Sequence, residues 1–112
     1  MKKKGLSKIE SKAVKEFAAR LRDRFPKDIE TIKLYGSKAR GTSTEESDVD
    51  LLIIVKRRTS RIDEKVIDLV CDILNEFGVF LETVTLTSAA YNEAINRQYP
   101  FAINVERDSV II

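Results

Sequence analysis

Histidine is absent from the 112-residue chain, and so is tryptophan. Without histidine there can be no imidazole base, no Ser-His-Asp triad and no imidazole metal ligand. Cysteine occurs once, at Cys71, so neither an internal disulfide nor a structural zinc site can be built. Because Cys71 lies in an apolar stretch, a buried thiol is expected. Any catalysis falls to carboxylates, hydroxyls, Lys, Arg or a bound metal. No long apolar run exists either: the longest strongly apolar one is Leu51 to Val55. A signal peptide needs about 7–15 apolar residues and a membrane helix about 18 or more. A cytosolic chain with no membrane contact is expected. Neither sign of charge dominates. Lys plus Arg is 20 and Asp plus Glu is 18, a net charge of +2. That balance argues against strong nucleic-acid binding. The apolar content of 43% argues against disorder.

What is present reads as one domain over 1–112, with residues 1–5 as a flexible tail carrying Lys2, Lys3 and Lys4. Ser7-Lys8-Ile9-Glu10 has the form of a capping box. Behind it, Leu6, Ile9, Ala13, Val14, Phe17, Ala18 and Leu21 recur at helical spacing, and Pro26 stops the helix. Ile29 to Tyr35 reads as a strand. Gly36 to Ser47 is polar, a loop with room for one helical turn. The run from Asp48 to Val55 returns to strand composition and suggests a central strand covered on both faces. Arg61 to Phe77 is a second helix, with Ile62, Val66, Leu69, Val70, Ile73, Leu74 and Phe77 as its stripe and Gly78 as its stop. Val79 to Leu86 reads as a third, inner strand. Thr87 or Ser88 caps a third helix that runs to about Gln98 and is broken by Tyr99-Pro100. Asp108-Ser109 turns the chain into a last short strand at Val110 to Ile112. The order αβ(loop)βαβαβ implies an α/β (α+β) sandwich, a small mixed sheet flanked by helices.

The chemistry concentrates in Gly36-Ser37-Lys38-Ala39-Arg40-Gly41 and Ser47-Asp48-Val49-Asp50. In a strand, residues i and i+2 share a face, so Asp48 and Asp50 present two carboxylates side by side. A divalent cation relieves their repulsion, and Mg²⁺ suits one or two carboxylates plus water and phosphate. Gly36 lets backbone approach a ligand, and Ser37 offers a hydroxyl and an N–H to a phosphate oxygen. Lys38 and Arg40 can add positive charge for a triphosphate. Glu82 interrupts the third strand. With no histidine present, it is the candidate general base by elimination. Bland readings exist for each part alone: a turn for Gly36-Ser37, turn and edge charges for the Asp pair, an exposed edge position for Glu82.

Gly36-Ser37, ten residues, then Asp48-x-Asp50 resembles the GS-x10-DxD signature of the DNA polymerase β nucleotidyltransferase superfamily. The strings Tyr35 to Gly41 and Ser47 to Leu52 are similar to the minimal nucleotidyltransferase (MNT) domains of bacteria and archaea. The resemblance covers nearly the whole chain. It implies the polymerase β-type nucleotidyltransferase fold, with Mg²⁺ (two ions) on Asp48, Asp50 and Glu82. It implies ATP or another NTP held by Gly36 and Ser37, with Lys38 and Arg40 beside them. The third acid is commonly Asp, and Glu82 is one methylene longer. The resemblance also implies a partner, a small helical HEPN protein. In HEPN/MNT toxin–antitoxin systems the MNT protein is the antitoxin, covering the toxin or transferring AMP to it. The expected function is Mg²⁺-dependent transfer of AMP from ATP to a partner protein. Two alternatives stay open. One is a nucleotide-binding module that neutralises its partner by binding. The other is transfer to a small molecule, with a homodimer rather than a hetero-oligomer forming the acceptor pocket.

Overall fold

The computed structural model describes residues 5–41 and 48–112. The tail lysines 2–4 and Ser47 lie outside the described residues. The first helix, α1 (Lys8–Arg24), starts on the expected capping box. The Ser7 hydroxyl accepts from the Glu10 N–H at 3.1 Å, and the Ser7 N–H donates to Glu10 Oε1 at 2.9 Å. It ends at Phe25, whose conformation is non-helical ahead of Pro26. Strand β1 (Ile29–Tyr35), the single-turn α2 (Ser37–Arg40) and strand β2 (Val49–Val55) follow. Helix α3 (Ser60–Phe77) closes on Gly78 in the left-handed conformation, as the sequence suggested. Then come β3 (Leu81–Thr87), α4 (Ser88–Asn96), α5 (Pro100–Asp108) and β4 (Val110–Ile111).

The four strands form one mixed sheet in the order β3-β2-β1-β4. The β2–β3 pair is parallel and the β1 pairs are antiparallel. A parallel pair needs a long crossover, which α3 supplies. Helices α1 and α3 cover one face. Phe17, Leu21, Leu69 and Ile73 pack there on Ile32, Leu51 and Ile53. Helices α4 and α5 cover part of the other face, where Tyr91, Ala94, Ala102 and Val105 meet Leu52 and Ile54. β2 is therefore the central strand expected, and every residue from Leu51 to Val55 is buried. In β1 the apolar alternation slips between Ile29 and Ile32. A register irregularity between Ile29 and Thr31 absorbs the slip, so Ile29 still packs on the α1/α3 core.

Four sequence expectations are corrected. Cys71 is exposed, because the inward stripe of α3 is Ile62, Val66, Leu69 and Ile73 and the helical turn carries residue 71 outward. For the same reason Ile9 and Leu74 face solvent rather than the core. Strand β3 is an edge strand, not an inner one. The segment after Tyr99 is a further helix, α5. Pro100 occupies its first turn, where the missing N–H costs nothing, and Asp108 is its last residue rather than a turn. Among the described residues no helix is long and apolar enough to cross a membrane.

Candidate active site at the strand ends

The end of β1 and the starts of β2 and β3 meet at one end of the sheet, because β1 runs against the other two. Their register puts three polar residues in one rank. Tyr35 lies opposite Asp50, and Asp50 lies opposite Glu82. Leu52 and Ile54 pack toward α4 and α5, so strand alternation aims Asp50 at that same face. Val84 and Leu86 do the same for Glu82. The α4/α5 layer fills the ranks behind the acids and leaves the acid rank itself at its margin. Asp48 stands exposed one step ahead of β2.

The Gly36 turn brings the motif's halves together. Gly36 has φ +79°, a conformation that side chains resist, and its carbonyl accepts from the N–H groups of Ala39 and Arg40. A Cβ on Gly36 would lie 2.5 Å from Asp50 Oδ2. The loop and the carboxylate strand are thus in contact through space that only glycine leaves open. Ser37 follows as the first residue of α2.

Electrostatics of the rank follow from crowding. Burial raises the proton affinity of Asp50 above the ordinary carboxylate range, and the charges of Asp48 and Glu82 raise it further. Tyr35 is pushed up in the same way, by burial first and then by Asp50 and Glu82, so its hydroxyl stays protonated. Its ring stands edge-on to Phe101 of α5, with centroids 5.4 Å apart. Among the described residues no three His, Cys, Asp or Glu side chains form a ready metal cage. The donors present are hard carboxylate oxygens that repel one another. They fit a small hard cation that keeps several waters and binds phosphate as well.

The four residues expected around the nucleotide do not all face the acids. Lys38 is turned inward. Its ammonium lies 3.0 Å from Glu10 Oε1 with its side chain only 3% exposed, on the α1 side of the sheet. The capping-box glutamate thereby ties the turn after β1 to the first helix. Gly5 adds to this anchorage, since a Cβ there would fall 2.0 Å from the Lys38 carbonyl oxygen. Arg40 is exposed and lies close enough to Asp108 to help Arg107 hold that carboxyl below its usual range. Sequence reasoning passed over Tyr35 and Phe101. Position 35, directly before Gly36, was the available signal. It also passed over a polar cluster behind the rank, in which the Tyr91 hydroxyl donates to Glu106 at 2.5 Å and Lys33 reaches the same carboxylate at 3.2 Å. Burial first, and then Glu106, push the Tyr91 hydroxyl far up, while Tyr91 and Lys33 hold Glu106 low.

Known proteins resemble this chain in sequence and in fold. The family model for the nucleotidyltransferase domain matches residues 14–105. A Methanocaldococcus jannaschii protein, provisionally named protein adenylyltransferase MJ0604, is 39% identical over 88 residues, 78% of this chain and 83% of that protein. A second protein from that organism, provisionally named protein adenylyltransferase MJ1305, is 40% identical over 72 residues. That match spans 62% of this chain and about half of the relative, 49%. Two solved structures share the fold. A provisionally named nucleotidyltransferase from Sulfolobus solfataricus superposes with TM-score 0.54 at 20% identity, covering 89% of this chain and 76% of its own. A mutant form of the toxin–antitoxin pair MntA–HepT gives TM-score 0.58 at 21% identity, covering 88% and 70%.

Proposed function

The chain belongs to the nucleotidyltransferase domain family, and from that premise we propose that it transfers the AMP moiety of ATP to a hydroxyl on a partner protein. The observation that carries the reading is the contact between Gly36 and Asp50, where a Cβ would sit 2.5 Å from the carboxylate oxygen. A backbone turn able to take a phosphate is held directly against a crowded acid. Phosphoryl chemistry needs that juxtaposition, because it proceeds by positioning and charge neutralisation.

Each residue has a role in this reading. The Gly36-Ser37 turn holds the β- and γ-phosphates through backbone N–H groups and the Ser37 hydroxyl. Arg40, exposed on α2, supplies positive charge to the same end of the nucleotide. Lys38 supports the turn from inside through Glu10. Asp48 and Asp50 would hold Mg²⁺, with Glu82 beside them, and the bound ion supplies charge neutralisation at the phosphates. Glu82 takes the proton from the acceptor hydroxyl as it attacks the α-phosphorus and pyrophosphate leaves. Tyr35, kept protonated, offers its O–H as a donor beside Asp50. The named relatives support a protein acceptor. The sequence resemblance and the MntA–HepT fold neighbour point to a HEPN-family partner and an antitoxin role. In the test, the protein, Mg²⁺ and α-labelled ATP are incubated with the protein encoded beside it. Label is expected on the neighbour with wild type and at background with Asp50→Asn. Equal labelling by both would overturn the assignment.

A further inference from the structure

We infer that Phe80 is a specificity-determining residue for the acceptor, and that the acceptor reaches the acids over the β3 edge of the sheet. The inference rests on the nucleotidyltransfer reading above and assigns direction within that site. In-line displacement places the attacking and leaving oxygens on opposite sides of the phosphorus. Along the rank Tyr35–Asp50–Glu82, the turn proposed to grip the β- and γ-phosphates follows Tyr35, at the β1 side. With the α-phosphorus at Asp50, in the middle, the leaving pyrophosphate lies toward β1 and the attacking hydroxyl lies toward β3. Neighbouring strands are about 4.8 Å apart, so the span from β1 to β3 suits one phosphorus with an oxygen on each side. The nucleoside departs from the phosphorus in neither of these two directions. The β3 side therefore belongs to the acceptor.

Phe80 stands on that side. Burial alternates through Val79, Phe80, Leu81 and Glu82: in, out, in, out. Phe80 thus shares a face with Glu82. The parallel register begins with Val49 opposite Leu81, so Phe80 and Asp48 each come one residue ahead of that first pair. Phe80 is 50% exposed, and among the described residues no further strand lies beyond β3 in the sheet. An exposed phenyl ring at this end of the sheet has no donor for phosphate and no ligand atom for a divalent ion. It suits the apolar body that carries an acceptor hydroxyl, since aromatic contacts dominate such recognition.

The test compares two acceptor probes, N-acetyl-tyrosinamide and N-acetyl-serinamide, with ATP and Mg²⁺. Release of AMP and pyrophosphate to water, abolished by Asp50→Asn, serves as the acceptor-free control. Wild type should favour the apolar-bodied probe. Phe80→Ala should raise the KM for that probe about ten-fold, leave the KM for ATP and the control unchanged, and melt like wild type. Phe80→Leu should restore part of the preference. Saturation-transfer NMR should show N-acetyl-tyrosinamide bound to wild type and lost with Phe80→Ala. No preference in wild type, or a rise in the KM for ATP instead, overturns the role of Phe80 while leaving the transfer reading intact. Absence of any Asp50-dependent pyrophosphate release, with the NMR signal present, sinks the transfer reading instead.

Discussion

Gly36 and Asp50 occupy space that a single methyl group would contest. An alanine at 36 would need a positive φ and would push its Cβ against Asp50 Oδ2. Gly36→Ala should therefore cost about 1–3 kcal/mol of stability. Displacing the carboxylate by even an ångström should lower transfer about 100-fold. Denaturant melts together with pyrophosphate release check both parts, and a variant with wild-type rate would remove the contact from the mechanism. Asp50 itself sits under electrostatic strain. Burial, then Asp48 and Glu82, raise its proton affinity in the fold. A raised carboxyl favours the folded state while protonated. That stability is fully present below the ordinary Asp range, about pH 3.9, and is lost as pH rises through the folded value. Asn at position 50 escapes the loss. Asp50→Asn should melt above wild type near pH 7 and show no advantage near pH 3, while transfer disappears. Equal melting at neutral pH would mean that the acids do not strain the fold. This pair was half legible in the sequence. Strand periodicity brought Asp48 and Asp50 to one face, but only the register brought Glu82 and Tyr35 alongside Asp50.

At the scale of elements, the four-residue α2 owes its place to α1. Lys38 reaches Glu10, and Glu10 also accepts from the Ser7 N–H in the capping box. Removing one partner of an enclosed pair leaves the other charge stranded, whereas replacing both is often neutral. Lys38→Met should cost about 3 kcal/mol. Lys38→Met combined with Glu10→Gln should recover most of it, since Gln still serves the capping box. The KM for ATP in the double variant should stay within about two-fold of wild type, well short of the ten-fold that 1.4 kcal/mol of lost binding would bring. A larger rise would put the ammonium on the triphosphate after all. Sequence alone could not decide this, because a lysine one residue after a phosphate-loop serine has both directions open to it. Other elements divide the same way. Capping box, apolar stripes and the Gly78 stop are local signals, and α1, β1, β2 and α3 were read within about a residue of their ends. α5 was hidden because Pro100 reads as a breaker when it follows a helix, yet it is also a good first-turn residue for the next one. The edge position of β3 is a matter of strand order, which no local pattern encodes. Cys71 failed for a geometric reason: apolar neighbours in sequence are not neighbours on a helix.

For the molecule as a whole, the sheet separates two tasks. The α1/α3 face carries the larger core and anchors the Gly36-Ser37 turn through Lys38. The α4/α5 face leaves its last rank to the acids, so binding there loads the ends of three strands at once. A radius of gyration of 13.7 Å is what a compact chain of this length should have, about 13 Å. Such a domain unfolds cooperatively, and a ligand held only by the folded state should stabilise all of it. The expected effect can be sized. A ligand at about 100 times its dissociation constant adds about 2.7 kcal/mol. With an unfolding entropy of about 2.1 cal/mol/K per residue, that corresponds to a rise of about 10 °C in the melting midpoint. Mg²⁺ with a non-hydrolysable ATP analogue should therefore raise the midpoint of wild type by about 10 °C at saturation. Asp48→Asn combined with Asp50→Asn should abolish most of the rise, because the cation then has no carboxylate pair to bridge to the phosphates. Lys38→Met combined with Glu10→Gln should keep it. The contrast between these two double variants separates the residues that meet the nucleotide from those that hold the turn in place. If both variants lost the shift equally, the acids and the Lys38 pair would have to act as one site, and the division of labour between the two faces of the sheet would be wrong.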